Sequence, residues 1–245
     1  MHFDIIYLEE TNSTNRWLAE NGGERDMLVW TDFQTAGRGC GTNTWESERG
    51  KNLLFSVYYH PKNVPAVEQF ILSMAHALAL HETLSDYTDD IKIKWPNDIY
   101  WHDKKIAGTL IETSLGNSHV KTCIFGTGLN INQTVFHSDA PNPVSLSQIL
   151  GHEVSREDVL QKVAENNQRY LQMVEEGQWD AVRHHYRRHL HRLEESHYYV
   201  FGGKREYCKL IGVSNDGHLL LLPQGEQGTT TEPLCFAFKE VTFTF

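Results

Sequence analysis

The run Ile91-Lys92-Ile93-Lys94-Trp95-Pro96-Asn97-Asp98-Ile99-Tyr100-Trp101-His102-Asp103-Lys104-Lys105-Ile106-Ala107-Gly108 decides how this chain folds. Apolar and charged residues alternate over 91–94, the period of a half-buried strand. Pro96 has no backbone donor and restricts Trp95 to extended conformations, so the strand stops there. A second strand is expected over 99–102, Asp103-Lys104 supplies a turn, and a third strand starts by Ile106. Lys94, Asp98 and Lys105 are thereby expected on one sheet edge, with the Asn97 carboxamide beside them. Two ammonium groups, a carboxylate and an amide are chemistry for a charged substrate. A solvated surface hairpin with an interfacial tryptophan is the competing reading of the same residues.

Outward from this hairpin the pattern is that of a mixed sheet with helices. Strand character is read over residues 2–8, 27–33, 53–59, 106–114 and 119–130, with Gly116-Asn117-Ser118 turning the last pair. Asn12-Ser13-Thr14-Asn15 offers capping side chains for a short helix over 16–19. From Ala66, residues Val67, Phe70, Ile71, Met74, Ala75 and Leu78 follow the spacing of an amphipathic helix. Beyond a Pro141-Asn142-Pro143 loop, Ser155 and Asp158 form a capping pair for a helix carrying Val159, Val163, Tyr170, Leu171 and Val174, and a further helix covers 179–190. From Ser196 the texture changes to short strands, such as 209–213 and 218–222, broken by Asn215-Asp216-Gly217 and by a turn over 224–228. The expected fold is α/β (α+β), a mixed sheet flanked by helices over 1–193, followed by a small β-barrel over 194–245.

The chain has 245 residues, 40% hydrophobic and 11% aromatic, enough for a substantial core. No run approaches the roughly 18 apolar residues of a membrane span, and the first residues lack the features of an export signal, so a cytoplasmic protein is expected. Cys40, Cys123, Cys208 and Cys235 show no Cys-x-x-Cys spacing and are read as reduced thiols. A net charge of -10 argues against a general nucleic-acid binder, so any anion site must be local. The basic run 183–192 contains His185 and His189 four apart, but no carboxylate or cysteine completes a metal site, and a solvated helical face is expected.

Three other segments carry polar or glycine-rich character. Gln34-Thr35-Ala36-Gly37-Arg38-Gly39-Cys40-Gly41 sits between two strands, where glycines admit an anion to backbone amides and Arg38 offers planar donors. It matches neither a dinucleotide-binding fingerprint nor a Walker A loop, and a plain surface loop is the alternative. Ser13-Thr14-Asn15 reads in isolation as a helix cap before it reads as a binding site. Gly126-Thr127-Gly128-Leu129-Asn130-Ile131-Asn132 leaves room at a strand for a ligand or another backbone.

Taken in order, Ser13-Thr14-Asn15, Gly37-Arg38-Gly39 with Trp45, Lys94 to Asp98, Lys105 to Gly108 and 126–132 make the chain resemble a biotin–protein ligase over about residues 8–132. The resemblance implies a class II synthetase-like ligase domain and a Src-homology-like (SH3-like) small barrel. It implies that ATP and biotin form biotinyl-adenylate with Mg2+, and that biotin then passes to a lysine of a biotin carboxyl carrier domain. By matching position, Ser13, Thr14, Asn15, Gln34, Gly37, Arg38, Lys105, Gly108 and Gly126 are expected around biotin. Arg38, Trp45, Lys94, Asn97, Lys105 and Asn130 are expected around the nucleotide. Arg38, Lys105 and Asp98 are the expected catalytic groups. Asn97 and Asp98 are expected either to position Mg2+ or, in the case of Asp98, to polarise the acceptor amine. The loop over 34–51 is an expected lid. Cys40 and Thr42-Asn43-Thr44 depart from the basic residues that relatives often carry, which places more weight on Lys51, Lys94 or Lys105. Only twelve residues precede Ser13, too few for a helix-turn-helix, so DNA binding through such a module is not expected. A homodimer through a sheet edge is a further implication. A lipoate ligase, an octanoyltransferase or a non-catalytic biotin sensor are the alternatives.

Overall fold

The computed structural model describes residues 2–137, 142–225, 228–229 and 232–245. Its first sheet contains β1 (Asp4–Thr11), β2 (Met27–Gln34), β3 (Leu53–Tyr59), β4 (Ile91–Lys94), β5 (Asp98–Trp101), β6 (Lys104–Gly116) and β7 (His119–Leu129). The strands lie in the order β1-β2-β3-β7-β6-β5-β4. β1 and β2 are parallel because helix α1 (Thr14–Asn21) carries the chain back between them, whereas short turns keep β4 to β7 antiparallel. The sheet is therefore mixed, as its sequence pattern indicates.

Alternation along the strands sorts side chains to two faces. Met27, Val29 and Ile124 meet α1 through Leu18 and Trp17. Leu28, Trp30, Cys123 and Phe125 face the larger core, built with α2 (Phe70–Ser85), α4 (Arg156–Glu175) and α5 (Trp179–Arg188). Helix α2 is not amphipathic as its spacing implies. Residues 71–81 are all buried, because α4 and α5 cover the side that a surface helix would show to water. It also starts at Phe70, and Val67, placed by periodicity on its apolar stripe, is 78% exposed in a separate short turn. Ser155 Oγ accepts the Asp158 N–H at 3.1 Å and caps α4 as expected. The short α3 (Leu146–Leu150), with a capping box between Ser145 and Gln148, has no counterpart in the sequence reading.

The C-terminal strands β8 (Ser196–Phe201), β9 (Lys204–Val213), β10 (Leu219–Gly225), β11 (Gly228–Thr229), β12 (Leu234–Phe236) and β13 (Thr242–Phe243) form a six-stranded antiparallel sheet. Among the described residues its pairings run in an open order rather than a ring. Its buried residues Tyr199, Leu210, Leu219 and Phe243 are continuous with the core of the first sheet. Two junctions set its position beside the hairpin: Trp95 Nε1 donates to the Gly217 carbonyl at 2.9 Å, and Arg192 Nη1 donates to the Thr244 carbonyl at 2.8 Å. The expected turn over 224–228 and the expected loop at Pro141 lie partly outside the described residues. No described helix is long and apolar enough to cross a membrane.

Candidate functional site

Register across β6 and β7 pairs Gly108 with Gly128 and Leu110 with Gly126, on the face that carries α1. The result is a strip of sheet from which side chains are missing. A Cβ on Gly126 would fall 2.0 Å from Asn15 Oδ1, and one on Gly128 would fall 2.1 Å from the Trp45 indole. Both positions need glycine for close approach rather than for a turn. Over this strip opens a cleft of about 930 Å³, in the size range of small-molecule sites.

At one end, Thr14 and Asn15 turn towards the cleft instead of capping α1. Ser13 stands at the N-cap position, but its side chain makes no capping hydrogen bond. The Thr14 N–H, one of the donors a helix start leaves unpaired, donates to Gln34 Oε1 at 2.8 Å, and Thr14 Oγ1 donates to the same oxygen at 3.1 Å. Ser56 Oγ lies 2.6 Å from both Thr14 Oγ1 and Asn15 Oδ1. Asn15 Nδ2 donates to Glu112 Oε2 at 2.7 Å. The capping reading fails because β2 and β3 supply better partners than the helix itself.

Arg38 Nη2 reaches the same Glu112 carboxylate at 3.0 Å, both side chains being 41% exposed. A pair exposed to that extent is worth about 1 kcal/mol or less, so an incoming anion can compete for the guanidinium. The loop that presents Arg38 closes on itself: the Trp45 N–H donates to the Gly37 carbonyl and Gly39 N–H to the Asn43 carbonyl, with Cys40 half-buried near the tip. Trp45 lies across Gly128 and Gly108, its buried Nε1 without a partner among the described residues.

The hairpin brings its charges together as the alternation implies. Lys94 and Asp98 are register partners, and Lys105 Nζ pairs with Asp98 Oδ2 at 2.8 Å, with both side chains largely shielded. Lys94 is held differently, with its ammonium 4.6 Å from the Phe243 ring centroid and 5.7 Å from that of Tyr100. Burial holds it below the usual lysine range, against the pull of the Asp98 carboxylate. Trp95 is buried, so the hairpin is not a solvated one. Asn97 also lines the cleft, and its Nδ2 donates to Ser73 Oγ at 3.4 Å. Asn130 donates to the Val144 carbonyl, and its buried Oδ1 has no partner among the described residues.

Every expected site residue except Gly37 lines this one cleft, and Gly37 closes the loop that holds Arg38. Three contributors were not found from sequence. Glu112 and Ser56 looked like ordinary strand residues, and the Phe238, Lys239, Phe243 and Phe245 wall comes from the far C-terminal sheet. Asp98 is the one carboxylate of the expected metal pair, and it is committed to Lys105. No group of three or more His, Cys, Asp or Glu positioned to hold a metal exists among the described residues. Asn97 and Asp98 alone are too few donors for an all-protein Mg2+ cage. The basic run 183–192 is a solvated face only in part, with His184, Arg187 and Arg188 exposed. Arg183 pairs with Glu68 at 2.6 Å, Arg187 with Glu194 at 2.6 Å, and Arg192 is buried against Asp103 at 3.3 Å.

The pattern that defines the biotin/lipoate A/B protein ligase family matches residues 7–130. The bifunctional ligase/repressor BirA of Bacillus subtilis is 30% identical over 234 residues, covering 89% of this chain and 69% of that protein. The biotin–[acetyl-CoA-carboxylase] ligase of Paracoccus denitrificans is 28% identical over 230 residues, covering 90% and 95%. The biotin protein ligase of Aquifex aeolicus, solved in complex with biotin and ATP, superposes with a TM-score of 0.78 at 27% identity, covering 98% of each chain.

Proposed function

Because this chain belongs to the biotin/lipoate A/B protein ligase family, we propose that it activates biotin with ATP and transfers it to a lysine of a biotin carboxyl carrier domain. An enzyme of the biotin–protein ligase type agrees with the relatives that span most of its length. The observation that carries the reading is the clustering of Arg38, Lys94 and Lys105 on one glycine-floored cleft. A carboxylate and a triphosphate repel each other, and fixed cations in a partly dry cleft offset that repulsion most where charge builds up in the transition state.

In the first step a carboxylate oxygen of biotin attacks the α-phosphorus. The bond to the bridging oxygen breaks, and the electron pair leaves on pyrophosphate. Ser13, Thr14, Asn15 and Gln34 form the polar end that receives the ureido head group, with Gly126 leaving space beside Asn15. Gly108 and Gly37 permit the same close approach nearer the loop. Arg38 and Lys105 face the reacting oxygens, and Lys94 with Asn97, Trp45 and Asn130 takes the nucleotide. Mg2+ arriving with ATP supplies further neutralisation of the phosphates. In the second step the acceptor amine attacks the acyl carbon, the acyl–oxygen bond breaks and AMP leaves. Asp98, held against Lys105, is the carboxylate placed to orient that lysine and to take the amine proton. An acyl-adenylate hydrolyses if water reaches it, so the Trp45 loop serves as a cover.

Incubation with biotin, ATP, Mg2+ and a carrier domain, followed by intact mass, is expected to show one biotinyl increment on the carrier. Arg38→Ala with Lys105→Ala should lower the adenylation rate by at least about 100-fold; full-rate transfer by that variant would refute the proposal. Lipoate is the competing acyl group within the family, and a larger thermal shift with lipoate than with biotin would favour it.

A further inference from the structure

The fully buried stretch 71–81 of helix α2 is mostly apolar, yet His76 sits in it with no exposed surface. Burial drives the imidazole pKa down to about 4, opposed by the Asn167 hydrogen bond, so the ring is neutral near pH 7. A buried imidazole needs partners at both nitrogens, and it has them: Nδ1 lies 2.7 Å from Asn167 Oδ1, and Nε2 lies 2.8 Å from Thr127 Oγ1. The proton positions follow from the network. Asn167 Nδ2 donates to the Val163 carbonyl at 2.8 Å, which leaves its Oδ1 facing the ring. Nδ1 therefore carries the proton, and Nε2 accepts from Thr127. Thr127 Oγ1 is 3.0 Å from Thr109 Oγ1; its own proton is already used, so Thr109 donates to it. The chain runs one way, from Thr109 to Thr127 to His76 to Asn167.

Thr109 and Thr127 are register partners on the reverse face of the strip formed by Gly108, Gly126 and Gly128. On the cleft face these glycines offer no side chain to hold the strands in place, and glycine weakens a strand that contains it. The threonines between them are held from behind.

We propose that His76 is a positioning residue that acts through Thr127 to fix the height of the glycine floor, and so the depth of the pocket that receives biotin. The proposal rests on the biotin reading above. Stacking of His76 on Phe125, with centroids 4.7 Å apart and planes 13° from parallel, leaves the ring little freedom to let the threonines drift. Of the nucleotide groups, Lys94 and Asn97 lie on or next to β4 and β5, outside this network, while Trp45 rests on Gly108 and Gly128, so the effect is larger on biotin than on ATP.

The test compares His76→Phe, Thr127→Val and the double variant with the wild-type chain. Biotin affinity is read by titration calorimetry, KM for each substrate by carrier labelling, and amide exchange by mass spectrometry. Each single variant breaks the His76–Thr127 hydrogen bond together with one neighbouring bond and is expected to weaken biotin binding at least about tenfold, with a clearly smaller rise in KM for ATP. The double variant should be no worse than the singles, because both act on one linkage. The peptide containing Gly126 and Gly128 should exchange faster without ligand, and His76→Gln, which keeps a polar end near the Nε2 position, should recover part of the affinity. Unchanged biotin affinity in folded variants, or equal loss for both substrates, would overturn the proposal. If His76→Phe does not fold, Thr127→Val makes the same comparison alone. A wild-type chain that bound no biotin would instead remove the functional reading itself.

Discussion

Gly126 shows how one missing side chain sets a pocket. Asn15 Oδ1 lies where its Cβ would be, and Asn15 is itself tied to Ser56 and Glu112. Gly126→Ala must push Asn15 out of that network, so biotin binding is expected to fall at least tenfold while circular dichroism stays native; titration of the folded variant checks it. His76 has a separate signature in stability. Its folded pKa of about 4 lies below the ordinary 6.5, so the unfolded chain binds the extra proton first. The neutral ring's contribution is complete above about pH 6.5 and is lost progressively as pH falls towards 4. Urea unfolding at pH 7 and pH 5 should show that the wild-type chain loses about 2 kcal/mol more than His76→Phe over that interval. His81 and His191, also lowered to about 4 by burial, titrate in both proteins and cancel in the difference. Equal losses in the two proteins would mean that His76 is not buried neutral. The roles of these residues were unevenly visible in sequence. Lys94, Asp98 and Lys105 were legible because strand alternation puts every second residue on one face. Glu112 and His76 were not, because their meaning depends on partners 74 and 91 residues away.

At the level of elements, the loop between β2 and β3 couples the cation to the cover. Arg38 and Thr44 bridge its two limbs, and its return limb is pinned where the Glu48 N–H donates to Gln133 Oε1 at 2.9 Å and Asn52 Nδ2 donates to the same oxygen at 2.7 Å. The portion free to move is therefore the tip near Cys40, not the whole span of 34–51. Limited proteolysis is expected to cut within residues 38–44, and saturating biotin to slow that cut several-fold through contact with Arg38 and Trp45; equal cutting with and without biotin would count against a cover. The same element explains a misreading. Ser13-Thr14-Asn15 has the composition of a helix cap, and local propensity favours that role. Gln34 at the end of β2 takes Thr14, and Ser56 and Glu112 on other strands take Asn15, partners that no local rule anticipates.

Over the whole molecule, the hairpin is a wedge between α5 and the C-terminal sheet. Tyr186 Oη donates to the Pro96 carbonyl at 2.7 Å on one side, and Phe243 lies under Lys94 on the other. The C-terminal unit thus finishes a site whose motifs all end by residue 132. Phe243→Ala is expected to raise KM for ATP about 3- to 30-fold, the range of a partly desolvated cation–π contact, with KM for biotin unchanged; steady-state kinetics with each substrate varied will distinguish this from a general loss of folding. The amino-acid sequence alone determined the mixed sheet, the order of its strands in the chain and the motifs that mark the cleft, because alternation, proline and glycine act on the backbone within a few residues. Tertiary structure alone decided that residues 71–81 of α2 are all buried, that Arg183, Arg187 and Arg192 of the basic run are committed to ion pairs, and that aromatic residues near the end of the chain line the cleft. Those outcomes depend on which surfaces exclude water from one another, and that is settled only when distant segments pack together.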